Sequence, residues 1–297
     1  MIKVYFCPSV NSWEVDYIFE LFADTEHFEL VRFRPMEILE EQEEPSVLVA
    51  SHGLALFNVQ YLVKTLRPNV VLHLSDEAGT DQPYYDLYSE NAESINFLYH
   101  QYNHLHLNYK LPHSQLPLGY VSGMIPQRSQ KLNCRNVHAS KQHTFAFVGQ
   151  IKSDRQEMLD VWKEALGCSC IEVSKTDWSN PRAQLVDPKR LGDLYAMSWF
   201  VPVGRGNQSL DCFRIYEAIV SGAIPVVRGH ERELQETFAY GTEGFTIVTA
   251  ESWEETRDKC ALLLADEEKM RNIIDTNLRW WAAINAAIVK TVSEHCN

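Results

Sequence analysis

Short apolar runs alternate along the chain with segments whose apolar residues recur at helical spacing. The run at residues 70–75 is almost continuously apolar, as in strands buried on both faces of a parallel sheet. Alternation of this kind favours a doubly wound α/β layer. In the first half it predicts strands at residues 2–7, 28–33, 47–51, 70–75, 95–100 and 116–118, and helices at 11–23 and 57–66.

The second half repeats the same alternation. It predicts strands at residues 144–149, 170–173, 199–203, 223–227 and 245–248, and helices at 153–166, 188–197, 211–221, 231–239, 253–264 and 267–289. Residues 121–143 lack periodicity and are rich in polar and turn-forming residues, which is typical of an interdomain connection. We therefore predict two domains, at 1–130 and 144–297, joined by a linker at 131–143. The last helix is expected to be able to pack back on the first domain.

Composition narrows the class of protein. The 297 residues are 45% hydrophobic, enough for two buried cores. The net charge is −13 and no basic face stands out, which argues against a nucleic-acid partner. The seven cysteines form no Cys-x-x-Cys pair, and no apolar span reaches twenty residues. These features predict a soluble cytoplasmic protein without a membrane span.

The segment 199–229 carries the most suggestive chemistry. It reads as a strand, a glycine-bearing loop, a helix and a second strand, and a loop that leads into a helix N-terminus suits phosphate. Arg205 and Arg214 offer planar guanidinium groups for phosphate oxygens, and Glu217 offers an acceptor for two ribose hydroxyls. We interpret the segment as a nucleotide-sugar site. The alternative is that Arg214 and Glu217 form only a surface ion pair beside ordinary turn glycines.

This segment resembles the C-terminal signature of the exostosin glycosyltransferase family, and the resemblance covers roughly residues 145–240. That family has a Pro-Arg-Gly type loop followed by Ser-x-x-x-x-Arg-x-x-Glu-Ala and, further on, an apolar residue before Pro-Val. The matching residues here are Ser209, Arg214, Glu217, Ala218, Ile219, Ile224, Pro225 and Val226. Upstream, residues 145–149 with Arg155 resemble the family's Phe-x-Gly…Arg element. The chain departs from the pattern at Gly204-Arg205-Gly206, where the loop is shifted.

The resemblance implies a GT-B architecture, with two facing Rossmann-like domains and a cleft between them. It also implies an inverting enzyme that moves a sugar from a UDP-sugar to a glycan hydroxyl. If a soluble viral xylosyltransferase of this family is a closer relative, the resemblance implies UDP-xylose as the donor and the host cytoplasm as the location. The chain has no Asp-x-Asp pair, so no metal or other cofactor is expected. The donor-binding residues are expected to be Gly149, Arg155, Arg205, Ser209, Arg214 and Glu217.

In the first half, polar residues follow the predicted strands at the edge where α/β proteins bind ligands. Asp76 and Glu77 follow the fourth strand and His52 follows the third, so these three are our candidate general bases. Tyr84, Tyr85 and Tyr88 lie in a segment rich in turn formers and are candidates for stacking on an acceptor sugar. The alternative is a surface loop whose tyrosines fold down as a local lid.

Two other classes of protein remain open. A non-catalytic protein that binds glycans or nucleotides would keep the pocket and lack the base. A Rossmann-type oxidoreductase would have Gly-x-Gly-x-x-Gly after its first strand, where this chain has residues 8–11 without glycine. A further group, His100, His104, His106 and His113, has ligand-like spacing but lacks cysteine or interleaved carboxylates, which disfavours a metal site.

Overall fold

The computed structural model describes residues 1–10, 13–23, 26–124, 141–165, 169–173, 186–206, 208–238 and 243–296. The chain forms two compact units. The first comprises Met1–Leu118 with Ile284–Asn297, and the second comprises Gly119–Ala283. Most of the predicted linker lies outside the described residues, so its position stays a prediction.

The first unit is a parallel sheet with helices between its strands. Every residue of the third and fourth strands is buried, which explains their continuous apolar sequence. The strands are β1 (Ile2–Phe6), β2 (Phe28–Arg32), β3 (Ser46–Ser51), β4 (Val70–Leu74), β5 (Phe97–His100) and β6 (His113–Gln115). The helices are α1 (Val15–Phe22), α2 (Leu56–Leu66) and α3 (Gln82–Glu90).

The second unit is built in the same way around its own parallel sheet. Its core includes buried aromatic side chains from strands and helices, among them Phe145, Trp162, Phe200 and Trp253. The strands are β7 (His143–Gly149), β8 (Ser169–Val173), β9 (Ser198–Val203), β10 (Ile224–Arg228) and β11 (Val248–Ala250). The helices are α4 (Arg155–Ala165), α5 (Pro188–Ala196), α6 (Phe213–Val220), α7 (Glu231–Thr237), α8 (Trp253–Leu263) and α9 (Glu267–Cys296), whose last part belongs to the first unit.

Strand order locates the ligand-binding edge of each sheet. The first sheet runs β2-β1-β3-β4-β5-β6 and the second runs β11-β10-β9-β7-β8. In each, the chain places its second strand on one side of the first strand and its third strand on the other side. Ligands of open α/β sheets bind outside the carboxyl ends of the strands at this switch point. It falls between β1 and β3 in the first unit and between β7 and β9 in the second.

The predicted fold class is confirmed, and three segments differ from the prediction. Residues 116–118 are buried without being a strand, and the sheet instead ends with β6. The strand expected at 245–248 is β11, shifted towards the C-terminus. Residues 82–90, interpreted as part of a loop, form helix α3. Its buried residues are Tyr85, Leu87 and Tyr88, and a proline lies in its first turn, where the missing N–H costs nothing.

Candidate active site

Two loops meet at the switch point of the second sheet. The Ser153 hydroxyl donates to the Gly206 carbonyl at 3.0 Å, and the Arg205 backbone N–H donates to Asp154 Oδ1 at 3.0 Å. These loops follow β7 and β9, which are neighbours in the sheet. Gly149 ends β7 and therefore lies at the same edge of the sheet as the loop that follows β9.

Arg214 lies across the end of β7. It is in the first turn of α6, and its Nε donates to the Val148 carbonyl at 2.8 Å. A Cβ added at Gly149 would lie 2.0 Å from Nη2 of Arg214, and Gly149 has a φ of +150°. Glycine is therefore required at this position both by backbone conformation and by the approach of the guanidinium group.

Arg155 is a second guanidinium group at this switch point. It begins α4, is 2% exposed, and donates from Nη1 to the Gln150 carbonyl at 3.0 Å. Its buried Nε has no hydrogen-bond partner among the described residues. Burial lowers the pKa of Arg155, and the positive charge of Arg214 lowers it further. A buried cation with an unused donor, near a second cation, favours an anionic ligand.

Glu217 is the carboxylate of the site. It is 5% exposed on α6 and accepts a hydrogen bond from the Val121 backbone N–H. Burial raises its pKa to about 7, while the charge of Arg214 and the Val121 donor lower it. The alternative of a surface ion pair is therefore wrong, because this carboxylate is buried. A buried carboxyl group whose pKa lies near 7 is frequently part of a functional site.

Arg205 and Ser209 are engaged in local contacts. The Arg205 guanidinium forms a bidentate ion pair with Glu233, with Nη1 2.5 Å from Oε1 and Nη2 2.9 Å from Oε2. The Ser209 hydroxyl accepts the Asp211 N–H at 3.0 Å and so shapes the entry into α6. Binding of a diphosphate by either residue stays a prediction. At Arg205 a diphosphate would have to compete with Glu233 for the guanidinium group.

Tyr195 and Glu233 also belong to the surroundings of the site, and neither was a candidate from the sequence. Tyr195 is fully buried at the end of α5, and its hydroxyl has no hydrogen-bond partner among the described residues. Burial raises the pKa of Tyr195, and its electrostatic neighbours include Arg214 and Glu217. Glu233 lies on α7, where it follows the charged residues Glu231 and Arg232. Neither is among the residues that match the family signature, so only the folded arrangement reveals them.

The three candidate bases lie at the carboxyl edge of the first sheet. His52 Nδ1 is 3.2 Å from the Leu74 carbonyl, which only accepts, so Nδ1 holds the proton and Nε2 of the neutral ring is a lone-pair acceptor. Both carboxylate oxygens of Asp76 accept local hydrogen bonds, from the Ala78 N–H at 3.2 Å and the Thr80 hydroxyl at 3.0 Å. Glu77 is partly buried. A catalytic role for any of the three stays a prediction.

The three tyrosines divide into two kinds. Tyr85 and Tyr88 are 1% and 0% exposed, and their hydroxyls bond Ser75 and His73 at 2.9 Å. Their rings belong to the core, with no face for an acceptor sugar, which corrects the expectation from the sequence. Tyr84 is partly exposed and donates to the Leu54 carbonyl at 2.7 Å. It alone of the three keeps the surface that stacking on a sugar requires.

The histidines with ligand-like spacing form structural contacts in the first unit. His104 Nε2 lies 3.0 Å from the Asp76 carbonyl, and His106 Nε2 lies 3.2 Å from the Gly79 carbonyl. His100 stacks on Tyr109 with 4.0 Å between ring centroids. Burial lowers the pKa of His100 to about 4. Within the described part of the chain, no three His, Cys, Asp or Glu side chains are grouped to hold a metal ion.

Comparison with known proteins supports the fold. No protein-family model and no curated protein matches the sequence. The structure is similar to that of Anabaena Alr3699/HepE in complex with UDP, with a TM-score of 0.54 and 10% identity over 99% of this chain and 100% of that one. Two weaker similarities are to the glycotransferase of kitacinnamycin (TM-score 0.45, 10% identity, 99% and 98% covered) and to the S. aureus MnaA–UDP structure (0.41, 11%, 93% and 90%).

The two parallel-sheet, Rossmann-like units place the chain in the GT-B fold class. Membership of the exostosin family stays a prediction, because no family model matches. Among the described residues, no helix is both long and apolar enough to cross a membrane.

Proposed function

We propose that the protein is a glycosyltransferase that moves a sugar from a UDP-sugar to a hydroxyl group of a glycan acceptor. The observation that carries this proposal is the convergence of Arg155, Arg214 and Glu217 at the switch point of the second sheet. The fold that it shares with the UDP complex of HepE supports UDP as the nucleotide. The resemblance to exostosins supports an inverting, metal-independent reaction, with UDP-xylose as one candidate donor.

The residues of the second unit have distinct roles in this proposal. Glu217 accepts hydrogen bonds from the two ribose hydroxyls, and Arg214 and Arg155 contact the diphosphate. Negative charge grows on the diphosphate as the glycosidic bond breaks, so cations held there stabilise the transition state more than the ground state. The hydrogen bond from Arg214 to the Val148 carbonyl fixes one of these cations before the donor arrives.

The first unit supplies the general base in this scheme. The base takes the proton of the acceptor hydroxyl as its oxygen attacks C1 opposite the diphosphate, which leaves with the bonding electrons. This single displacement inverts the configuration at C1. His52, Asp76 and Glu77 are the candidates from the sequence, and of these His52 has a lone pair at Nε2 for the proton.

Consumption of the donor tests the proposal and separates it from a protein that only binds nucleotides. We expect at least one UDP-sugar from a panel of glucose, galactose, N-acetylglucosamine and xylose donors to release UDP with water or a supplied glycan as acceptor. We expect EDTA to leave this rate unchanged within about twofold. Binding of UDP without release of UDP from any donor would contradict transfer. Complete loss in EDTA that manganese restores would contradict the metal-independent mechanism.

The affinity for the donor should depend on pH through Glu217. Its pKa is raised to about 7, so it becomes protonated and loses its role as an acceptor as the pH falls through 7. For a single group with this pKa, linkage predicts that Kd for UDP-glucose rises about tenfold between pH 8 and pH 6. UDP-glucose is the suitable ligand because its diphosphate does not titrate in this range. A Glu217→Gln variant should lose the dependence, and an equal dependence in that variant would assign it to another group.

A further inference from the structure

Asp154 joins the two loops that meet at the switch point of the second sheet. It directly precedes α4, and its side chain is 7% exposed. Its Oδ1 accepts the Arg205 backbone N–H at 3.0 Å, and its Oδ2 lies 3.2 Å from Nη2 of Arg228, the last residue of β10. Its charge also acts on Arg155, so one largely buried carboxylate offsets three guanidinium groups at this edge of the sheet.

Loop 204–206, which follows β9, packs directly against Arg155. A Cβ added at Gly204 would lie 2.5 Å from Cγ of Arg155. The Ser153 hydroxyl donates to the Gly206 carbonyl at 3.0 Å, and Ser153 has a φ of +54°, which is uncommon for a residue other than glycine. Such a conformation persists only where the surrounding contacts enforce it. The loop is therefore held against the start of α4 at both its first and its last residue.

Two backbone amides of this loop are used within the protein. The Arg205 N–H donates to Asp154, and the Gly206 N–H donates to the Ser209 carbonyl at 3.1 Å. Consecutive backbone amides can form a nest for a phosphate group only when they point towards it. A diphosphate at this edge therefore depends on the guanidinium groups rather than on these two amides, and the placement of those groups depends on what fixes the loop.

We propose that Asp154 and Ser153 are positioning residues for the donor site, which hold loop 204–206 against the start of α4 before the donor binds. This inference rests on the proposed function and concerns the second unit alone. Both side chains act through backbone groups of the loop, and neither touches the donor. A loop that is already ordered does not have to be ordered by the ligand, so more of the binding free energy appears as affinity.

Replacement of Asp154 by alanine tests the assignment. We expect Kd for UDP, measured by calorimetry, to rise about tenfold, because UDP must then order the loop as it binds. KM for the UDP-sugar that is consumed fastest should rise by a similar factor while kcat stays within about threefold, since a saturating donor restores the ordered loop. Asp154→Asn keeps an oxygen for the Arg205 N–H and should hold Kd within about threefold of the wild-type value.

Glu157→Ala is the matched control. Glu157 also pairs with Arg228, with 2.8 Å between Oε1 and Nη1, and its removal leaves the Arg205 N–H bonded to Asp154. Kd for UDP should therefore stay within about twofold, as expected for loss of an exposed ion pair. Ser153→Ala removes the bond to the loop carbonyl from an exposed residue, so folding is not at risk, and it should raise Kd about threefold.

Wild-type affinity for UDP in a folded Asp154→Ala variant would overturn the inference and leave the proposed function intact. Equal losses in Asp154→Asn and Asp154→Ala, or an equal loss in Glu157→Ala, would do the same, because the effect would then belong to the charge on Arg228. If Asp154→Ala does not fold, wild-type affinity in Ser153→Ala would overturn the inference. Absence of UDP binding by the wild-type protein would overturn both the inference and the proposed function.

Discussion

Replacing Gly149 by alanine is expected to displace Arg214 and weaken UDP binding at least tenfold. The added Cβ would lie 2.0 Å from Nη2 and 2.8 Å from Cζ of Arg214, closer than any real contact. The guanidinium group must then leave its position against the Val148 carbonyl. Forced contacts of this kind in a packed interior cost about 1–3 kcal/mol of unfolding free energy. Urea denaturation and calorimetry with UDP measure the two effects.

Gly244→Ala is the matched control for this substitution. Gly244 also has a positive φ, of +81°, but its nearest neighbour to an added Cβ is Trp280 Cβ at 3.9 Å. The control therefore imposes strain on the backbone without displacing a side chain of the site, and it should lower stability while keeping UDP affinity. If Gly149→Ala binds UDP as tightly as Gly244→Ala does, Arg214 is not part of the diphosphate site.

Replacing Glu217 by alanine is expected to weaken UDP binding by about 1.5–3 kcal/mol, which is about 10- to 150-fold in Kd. The carboxylate is 5% exposed, so its hydrogen bonds to a ligand would form away from competing water. Loss of a charged acceptor then leaves the ribose hydroxyls without partners. Calorimetric titration with UDP measures the change directly.

Removal of an exposed carboxylate on α8, in Glu254→Ala, controls for the change in net charge and should leave Kd for UDP unaltered. The Glu217→Ala variant must melt cooperatively for the comparison to hold. A folded Glu217→Ala variant with wild-type affinity for UDP would remove this residue from the nucleotide site.

The sequence predicted most strands because their burial on both faces leaves an unbroken apolar run. Strand β4 is the clearest example, with every residue buried. Helix α3 was missed because its N-terminal part is rich in turn formers, which concealed the helical spacing of Tyr85 and Tyr88. Those two rings were expected at an acceptor site for the same reason. The sequence alone does not distinguish surface from core tyrosines until the buried face of the helix is known.

The candidate site was predictable in part. Arg214 and Glu217 lie one turn apart in a helix that follows a glycine-bearing loop, and this local spacing is visible in the sequence. The approach of Arg214 to Gly149 joins residues far apart in the chain, and no local pattern records it.

A crystal structure of the protein with bound UDP would show whether Glu217, Arg214 and Arg155 form the nucleotide site. We expect the ribose hydroxyls within about 3 Å of the Glu217 carboxylate oxygens, and the diphosphate against the guanidinium groups of Arg214 and Arg155. UDP bound at another edge of the fold, with Glu217 still covered by protein atoms, would contradict it.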